Sequence, residues 1–191
     1  MRPEARRAGG AALGALLLAA CAGLPPGTPA PQPPTYVDTP FTAAGRLSAR
    51  HDSDAVAVHF TWRHDPPRDE LAVTTPLGQT VAELSGDTAA RSVAVTTADG
   101  RRREAADWPA LTEQALGFPL PVADLAAWIR GAPHPGAAAT FEGDGEGRVA
   151  LLRQEGWEIV YDYADAAARM PQRLRIAYPG FEIRVVVDQW R

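Results

Sequence analysis

The chain has 191 residues, a formal net charge of -4 and a single cysteine, and all of its basic residues are arginine. At about 150 residues per domain this length predicts one domain with a substantial core. One thiol excludes a disulfide framework, and an acidic balance argues against nucleic-acid binding, which needs a basic face to displace counterions from phosphates.

The N-terminus predicts an export signal over residues 1–20. Three arginines precede an uncharged run at residues 8–20, which is shorter than the roughly 20 residues that span a bilayer. The run ends in Leu18-Ala19-Ala20-Cys21, which resembles the bacterial lipobox, where the cysteine receives a diacylglyceryl group before cleavage. Cys21 is therefore the predicted lipidation site; the alternative is an ordinary secretory signal with an incidental cysteine.

Residues 21–40 predict a lipidated cysteine followed by a tether. Residues 22–40 contain seven prolines and almost no large apolar side chains. Polyproline II geometry gives about 3 Å per residue, so the extended tether reaches up to roughly 60 Å. Ala22 is not the aspartate that retains many lipoproteins in the inner membrane, so the predicted location is the periplasmic face of the outer membrane. The folded domain is predicted over residues 41–191.

The folded domain is predicted to be mainly β. Residues 56–63 alternate apolar and polar side chains, as in a strand with one buried face. An earlier strand contains Gly45-Arg46, and further strands are predicted at 71–75, 80–85, 92–97, 102–105, 139–141, 148–154, 157–163, 173–178 and 181–189. Hairpin turns between them predict one antiparallel sheet of about 11 strands, and a sheet this long tends to curl.

Two short helices interrupt the strand pattern. The first is predicted from a cap at Asp107 to about Leu116, with Gly117 as its stop. The second is predicted to begin at Pro121 and to end at Arg130, before a Gly-Ala-Pro sequence. A curled sheet with helices near its opening is a half-open antiparallel β-barrel with a helical lid, which can enclose an apolar cavity.

Motifs in a fixed order along the folded domain carry a resemblance to a known family. They are Gly45-Arg46, Trp62, Pro76-Leu77-Gly78, Leu116-Gly117 with Pro119, Leu125, Trp128-Ile129-Arg130-Gly131, Pro133, Gln154, Gly156-Trp157, Val160-Tyr161, Tyr163, Pro171 and Trp190. Together with the lipobox they resemble the LolB family of outer-membrane lipoprotein receptors. The resemblance implies a monomer that receives acylated lipoproteins from the periplasmic carrier LolA, holds their acyl chains and inserts them into outer-membrane lipid.

That task requires a shielding cavity on physical grounds. Each methylene exposed to water costs about 0.8 kcal/mol, so moving two or three bare acyl chains through water costs tens of kcal/mol. The inward-facing candidates for the cavity and lid are Val58, Phe60, Trp62, Leu71, Val73, Leu125, Trp128, Ile129 and Tyr161, and Val56, Val81, Leu84 and Ile159 join them. Alternation does not reveal whether space remains between them. A filled core, in a tethered structural lipoprotein that binds protein partners, is the alternative.

The turn Pro76-Leu77-Gly78 is the candidate membrane-insertion loop. Leu77 is apolar where turns usually carry Asn, Asp or Gly, although single exposed leucines are common and often have no function. The resemblance implies that this loop projects and helps to deliver cargo to the membrane.

The run Arg101-Arg102-Arg103 is a candidate docking site for an acidic rim of the carrier, because charge complementarity speeds and orients association. The alternative, which the sequence favours, is a solvated hairpin end without a docking role.

Motifs of catalysis are missing from the sequence. There is no Gly-x-Ser-x-Gly elbow, no phosphate-binding loop ending in lysine and no His-Glu-x-x-His pair, and the four histidines lack metal-ligand spacing. The sequence therefore predicts neither an enzyme nor a cofactor or metal site.

Overall fold

A computed structural model describes residues 35–51, 53–116 and 120–191, without the side chains of residues 115 and 116. The predicted signal, the lipidation site Cys21, most of the predicted tether and the predicted helix stop Gly117 lie outside these residues.

Eleven strands and two helices make up the described chain. They are β1 (Phe41–His51), β2 (Asp54–Asp65), β3 (Arg68–Thr74), β4 (Thr80–Asp87), β5 (Ser92–Thr97), β6 (Arg102–Ala105), α1 (Trp108–Leu116), α2 (Val122–Trp128), β7 (Ala139–Gly143), β8 (Val149–Gln154), β9 (Trp157–Asp162), β10 (Arg173–Tyr178) and β11 (Phe181–Trp190). The strands form one antiparallel sheet in the order β6-β5-β4-β3-β2-β1-β11-β10-β9-β8-β7. The predicted half-open sheet of about 11 strands with two helices is confirmed.

One face of the sheet is apolar because the side chains alternate. In β2 the side chains of Val58, Phe60 and Trp62 are buried and their neighbours are exposed. Strand β11 repeats the pattern from Phe181 to Val187, and it joins the two halves of the sheet by pairing with β1. The buried faces of these strands form one side of the hydrophobic core.

The register places five turns at the same end of the sheet, which we call the hairpin end. His51 pairs with both Asp54 and Phe181, so the β1–β2 and β10–β11 turns share this end. The turns at residues 75–79, 98–101 and 155–156 join them. The chain enters β1 at the other end, which we call the entrance end.

Gly45 lies where the backbones of β1 and β11 approach each other closely. A Cβ atom there would overlap the backbone carbonyl oxygen of Val186 on β11, at a point where the register shifts between Ala44 and Gly45. Only glycine allows the two strands to approach this closely.

The helix α1 begins as predicted. The carboxylate of Asp107 accepts a hydrogen bond from the backbone N–H of Ala110 at 2.9 Å, which is the bond of a helix N-cap.

The helix α2 ends at Trp128, two residues before the predicted end at Arg130. Gly131, at a φ of +77°, donates to the carbonyl of Trp128, and the N–H of Ala132 donates to the carbonyl of Ala127. These two bonds are the pattern of a Schellman motif with Gly131 as its glycine, directly after the predicted end at Arg130. No helix in the described part of the chain is long and apolar enough to cross a membrane.

Candidate functional site

An apolar cavity of about 510 Å³ lies between strands β1–β5, β10 and β11 and the two helices. Of its 25 lining residues only His51, Asp54 and Thr112 are polar. The Thr112 hydroxyl is already used, since it donates to the carbonyl of Trp108 and accepts from the N–H of Leu120 at 2.6 Å. His51 and Asp54 lie at the hairpin end, so the interior of the cavity offers an acyl chain only apolar contacts.

The structure brings most of the predicted cavity residues together. Around the cavity lie Val58, Phe60, Trp62, Leu71, Val73, Leu125 and Ile129, with Val56, Val81 and Leu84. Val56 is 51% exposed and Val81 is 37% exposed although both line the cavity, so the cavity reaches the surface at the hairpin end.

Trp128 and Tyr161 lie away from the cavity, as does Ile159. The helix α2 turns its Val122, Leu125 and Ile129 side toward the cavity, which leaves Trp128 facing β8 and β9. There the indole N–H of Trp128 donates to the side-chain oxygen of Gln154 at 2.8 Å.

The interior around β8 and β9 is packed. Trp128 and Ile159 are completely buried, Tyr161 is 6% exposed, and the rings of Trp128 and Trp157 lie 5.9 Å apart. Burial raises the pKa of the Tyr161 hydroxyl well above its ordinary value. The part of the interior beside β8 and β9 is therefore filled, and the part under β1–β5 and β11 retains space.

Several cavity residues were not singled out from the sequence. They are Leu47 and Ala49 on β1, Ile183 and Val185 on β11, and Leu111, Leu120 and Val122 in the helical segment, with others from the neighbouring strands. Period-two alternation along β1 and β11 was the available signal for the strand residues.

Leu77 projects from a short, well-bonded turn at the hairpin end. Its side chain is 90% exposed. The N–H of Thr75 donates to the carbonyl of Gln79 at 2.8 Å, and Gly78, at a φ of +84°, donates to the carbonyl of Thr75. The turn therefore holds an apolar side chain in solvent at the end where the cavity opens.

Each arginine of the 101–103 run has an intramolecular partner. Arg101 pairs with Asp99 at 2.6 Å, and Arg102 pairs with Glu104 at 2.8 Å. Arg103 donates to the carbonyl of Gln114 on α1 at 3.0 Å. These contacts give the run a local structural role, and docking of a carrier stays a prediction.

Helix α1 is seated on the sheet by Trp108. The indole ring is 2% exposed and lies over Gly86 on β4, where a Cβ atom would overlap it. Its N–H has no hydrogen-bond partner among the residues that the structure describes. Apolar contact alone therefore anchors this end of α1.

Gly86→Ala is expected to displace Trp108 and lower the free energy of unfolding by about 1–3 kcal/mol, because the new methyl group overpacks a filled position. Near-ultraviolet circular dichroism and urea unfolding measure both effects. Ser85→Ala, on the exposed face of the same strand, is the control and is expected to stay within about 0.5 kcal/mol of the parent. Equal unfolding curves for Gly86→Ala and the parent would contradict the packing of Trp108 against Gly86.

A buried polar cluster beside the cavity was not anticipated from the sequence. Asp69, only 3% exposed, accepts hydrogen bonds from the indole N–H of Trp62 and from Nδ1 of His64, both at 2.8 Å. Nε2 of His64 lies 2.8 Å from the carboxylate of Asp38. Carboxylates only accept, so both ring nitrogens of His64 carry hydrogen when the two acids are ionised.

Burial alone would lower the pKa of His64, but its hydrogen bonds to Asp69 and Asp38 outweigh burial and raise the pKa. The charged form of His64 therefore stabilises the fold at pH values below the ordinary histidine pKa of about 6.5. That contribution is lost as the pH rises through the higher pKa of the folded state.

Asp124 on α2 forms a second partly buried pair. Its carboxylate lies 3.1 Å from Nδ1 of His134, and burial raises its pKa against the lowering effect of that histidine. Within residues 35–51, 53–116 and 120–191 no three acidic, histidine or cysteine side chains are arranged to hold a metal ion.

The fold of the chain is similar to that of one solved protein. The solved structure of a LolA superfamily protein from Nitrosomonas europaea matches the chain with a TM-score of 0.52, over 82% of this chain and 87% of that one. The two sequences are 10% identical, so the likeness concerns the fold.

The chain belongs to the LolB family. The family model described as outer membrane lipoprotein LolB matches residues 39–190. A relative of that name from Chromobacterium violaceum is 40% identical over 178 residues, which cover 93% of this chain and 94% of the relative. Another from Azoarcus sp. is 38% identical over 198 residues, covering 100% and 98% of the two chains. The family predicted from the ordered motifs is confirmed.

Proposed function

We propose that the chain is a lipoprotein acceptor of the outer membrane, held there by a lipid on Cys21. It receives acylated lipoproteins from the carrier LolA, shelters their acyl chains and inserts them into the bilayer. The observation that carries this proposal is the apolar cavity of about 510 Å³, which opens at the hairpin end where Leu77 is exposed. Relatives named as outer-membrane lipoproteins, and not as enzymes, support the location and the non-enzymatic role.

The size of the cavity bears on how cargo is held. A cavity of about 510 Å³ that opens at the hairpin end is large enough to take an acyl chain.

Transfer in this proposal runs downhill in free energy from carrier to acceptor to bilayer. A difference of about 1.4 kcal/mol gives a tenfold preference, so a few kcal/mol at each step make transfer nearly complete. The shielded chains avoid the far larger cost of exposure to water.

A fluorescence titration of the full chain in detergent micelles with a triacylated peptide tests the proposal. The Trp62 ring lines the cavity and the Trp128 ring does not, so acyl binding is expected to change the emission of Trp62. Trp62→Phe is expected to remove the change and Trp128→Phe to retain it.

The same peptide without acyl chains is the control. A response to both peptides, or to neither, would contradict acyl-chain binding. Such a result would favour the alternative of a structural lipoprotein that binds protein surfaces.

A further inference from the structure

Residues Tyr36, Val37, Asp38 and Thr39, which we call the strap, lie against the folded body although the sequence assigns them to the tether. Arg130, just beyond the end of α2, donates from Nη2 to the carbonyl of Val37 at 2.9 Å. Its Nη1 donates to the hydroxyl of Thr39 at 2.8 Å and to the Thr39 carbonyl at 3.2 Å. One guanidinium thus connects the strap to a helix that lines the cavity.

Arg130 is itself held in place. Its Nε donates back to the carbonyl of Ala126 on α2 at 3.2 Å. The guanidinium lies 4.7 Å from the ring centre of Tyr36 and 5.2 Å from that of Phe41. A planar fork that stacks on rings and donates in several directions is particular to arginine, so lysine cannot reproduce these contacts.

A second arm holds the strap to the sheet. Asp38 lies 2.8 Å from Nε2 of His64, and the hydroxyl of Tyr36 donates to the same carboxylate. The charged groups around His64 are Asp69 from β3 and Asp38 from the strap, with Arg130 near Asp38. Burial would raise the pKa of Asp38, but hydrogen bonds from Tyr36 and His64 outweigh burial and lower the pKa.

The two helices over the cavity are attached in different ways. Polar contacts tie α2 at three points: Trp128 to Gln154, Asp124 to His134, and Arg130 to the strap. The helix α1 rests on the apolar contact of Trp108 with Gly86 and has two polar contacts outside the helix: Arg103 donates to the Gln114 carbonyl, and the Leu120 N–H donates to the Thr112 hydroxyl. A polar network whose groups are all satisfied rigidifies the elements that it joins.

We propose that Arg130 is a positioning residue for the cavity: by clamping the strap to α2 it keeps α2 as a fixed wall, so that α1 is the element that moves to admit cargo. The part of this inference that concerns cargo rests on the proposed function. The clamp itself does not depend on that function.

Hydrogen exchange of the full chain in detergent micelles tests the clamp. In the parent protein the amides of α2 are expected to exchange at least tenfold more slowly than those of α1. Arg130→Gln is expected to raise exchange in α2 and the strap about tenfold and to leave α1 unchanged. Arg153→Gln, which removes an exposed arginine paired with Glu142 and Glu158, is the matched control.

A strap-side variant makes the test independent of one substitution. Asp38→Asn removes the charge that faces His64 and is expected to loosen the strap and α2 in the same way. Because both changes break one connection, the double variant is expected to be little worse than either single one. Additive effects, or α2 exchange that is unchanged in Arg130→Gln, would overturn the clamp.

Dissociation of the triacylated peptide, followed by Trp62 emission, gives a functional readout. Arg130→Gln is expected to release the peptide about tenfold faster with an unchanged urea midpoint, and an unchanged release rate would overturn the positioning role. If the parent binds no peptide, the proposed function fails, and the exchange experiment still decides the clamp.

Discussion

Val58→Trp is expected to weaken binding of a triacylated peptide at least tenfold while the free energy of unfolding changes by less than about 1 kcal/mol. Val58 lines the cavity on β2, so the added ring enters open space instead of packed side chains. The ring displaces part of an acyl chain, and two lost methylenes at about 0.8 kcal/mol each exceed the 1.4 kcal/mol of a tenfold change. Peptide titration and urea unfolding measure the two quantities.

The same substitution in the filled half of the interior is the control. Ile159 on β9 is completely buried and does not line the cavity. Ile159→Trp is therefore expected to overpack the core and to lower the free energy of unfolding by about 1–3 kcal/mol or more. If both variants lose stability equally, or if Val58→Trp binds peptide normally, the cavity is not the acyl-chain site.

Leu77→Glu is expected to leave folding and cargo uptake intact and to reduce delivery into liposomes at least tenfold. Leu77 is 90% exposed, so its replacement removes no packing within the fold. Burying a leucine side chain in lipid stabilises contact by about 1.5–3 kcal/mol, whereas a carboxylate resists transfer out of water. Transfer of a fluorescent triacylated peptide from the protein to liposomes measures delivery.

Ala89→Glu provides a charge-matched control for Leu77→Glu. Ala89 is exposed in the turn between β4 and β5, at the entrance end of the sheet. The Ala89→Glu variant is expected to deliver cargo as well as the parent protein does. Normal delivery by Leu77→Glu, or an equal loss in both variants, would remove the insertion role of the loop.

The strands were predictable because one-sided burial leaves a period-two pattern in the sequence. The same pattern marks Phe60 and Ile159 alike as inward-facing, and it carries no information on which of them borders open space. That distinction depends on how far α2 stands from each part of the sheet. The orientation of Trp128 toward Gln154 was unpredictable for this reason.

The strap was unpredictable for a different reason. Its contacts run from backbone carbonyls of Val37 and Thr39 to Arg130, which is 91 residues further along the chain than Thr39. Every residue has a backbone carbonyl that can accept a hydrogen bond. A segment that docks through its backbone carbonyls therefore has no sequence feature that distinguishes it from a segment that stays free. Arg130 was visible in the motif Trp128-Ile129-Arg130-Gly131, but the motif does not name its partner.

The strap also sets how far the protein can reach. It fixes the chain at the entrance end, while Leu77 lies at the hairpin end, and the 12 residues of β2 at about 3.3 Å each separate the two by about 40 Å. Docking of the strap holds its four residues against the folded domain, and four residues extend to about 12 Å at 3.1 Å each. In the proposed function, undocking the strap would add that length to the tether and would bring Leu77 closer to the bilayer.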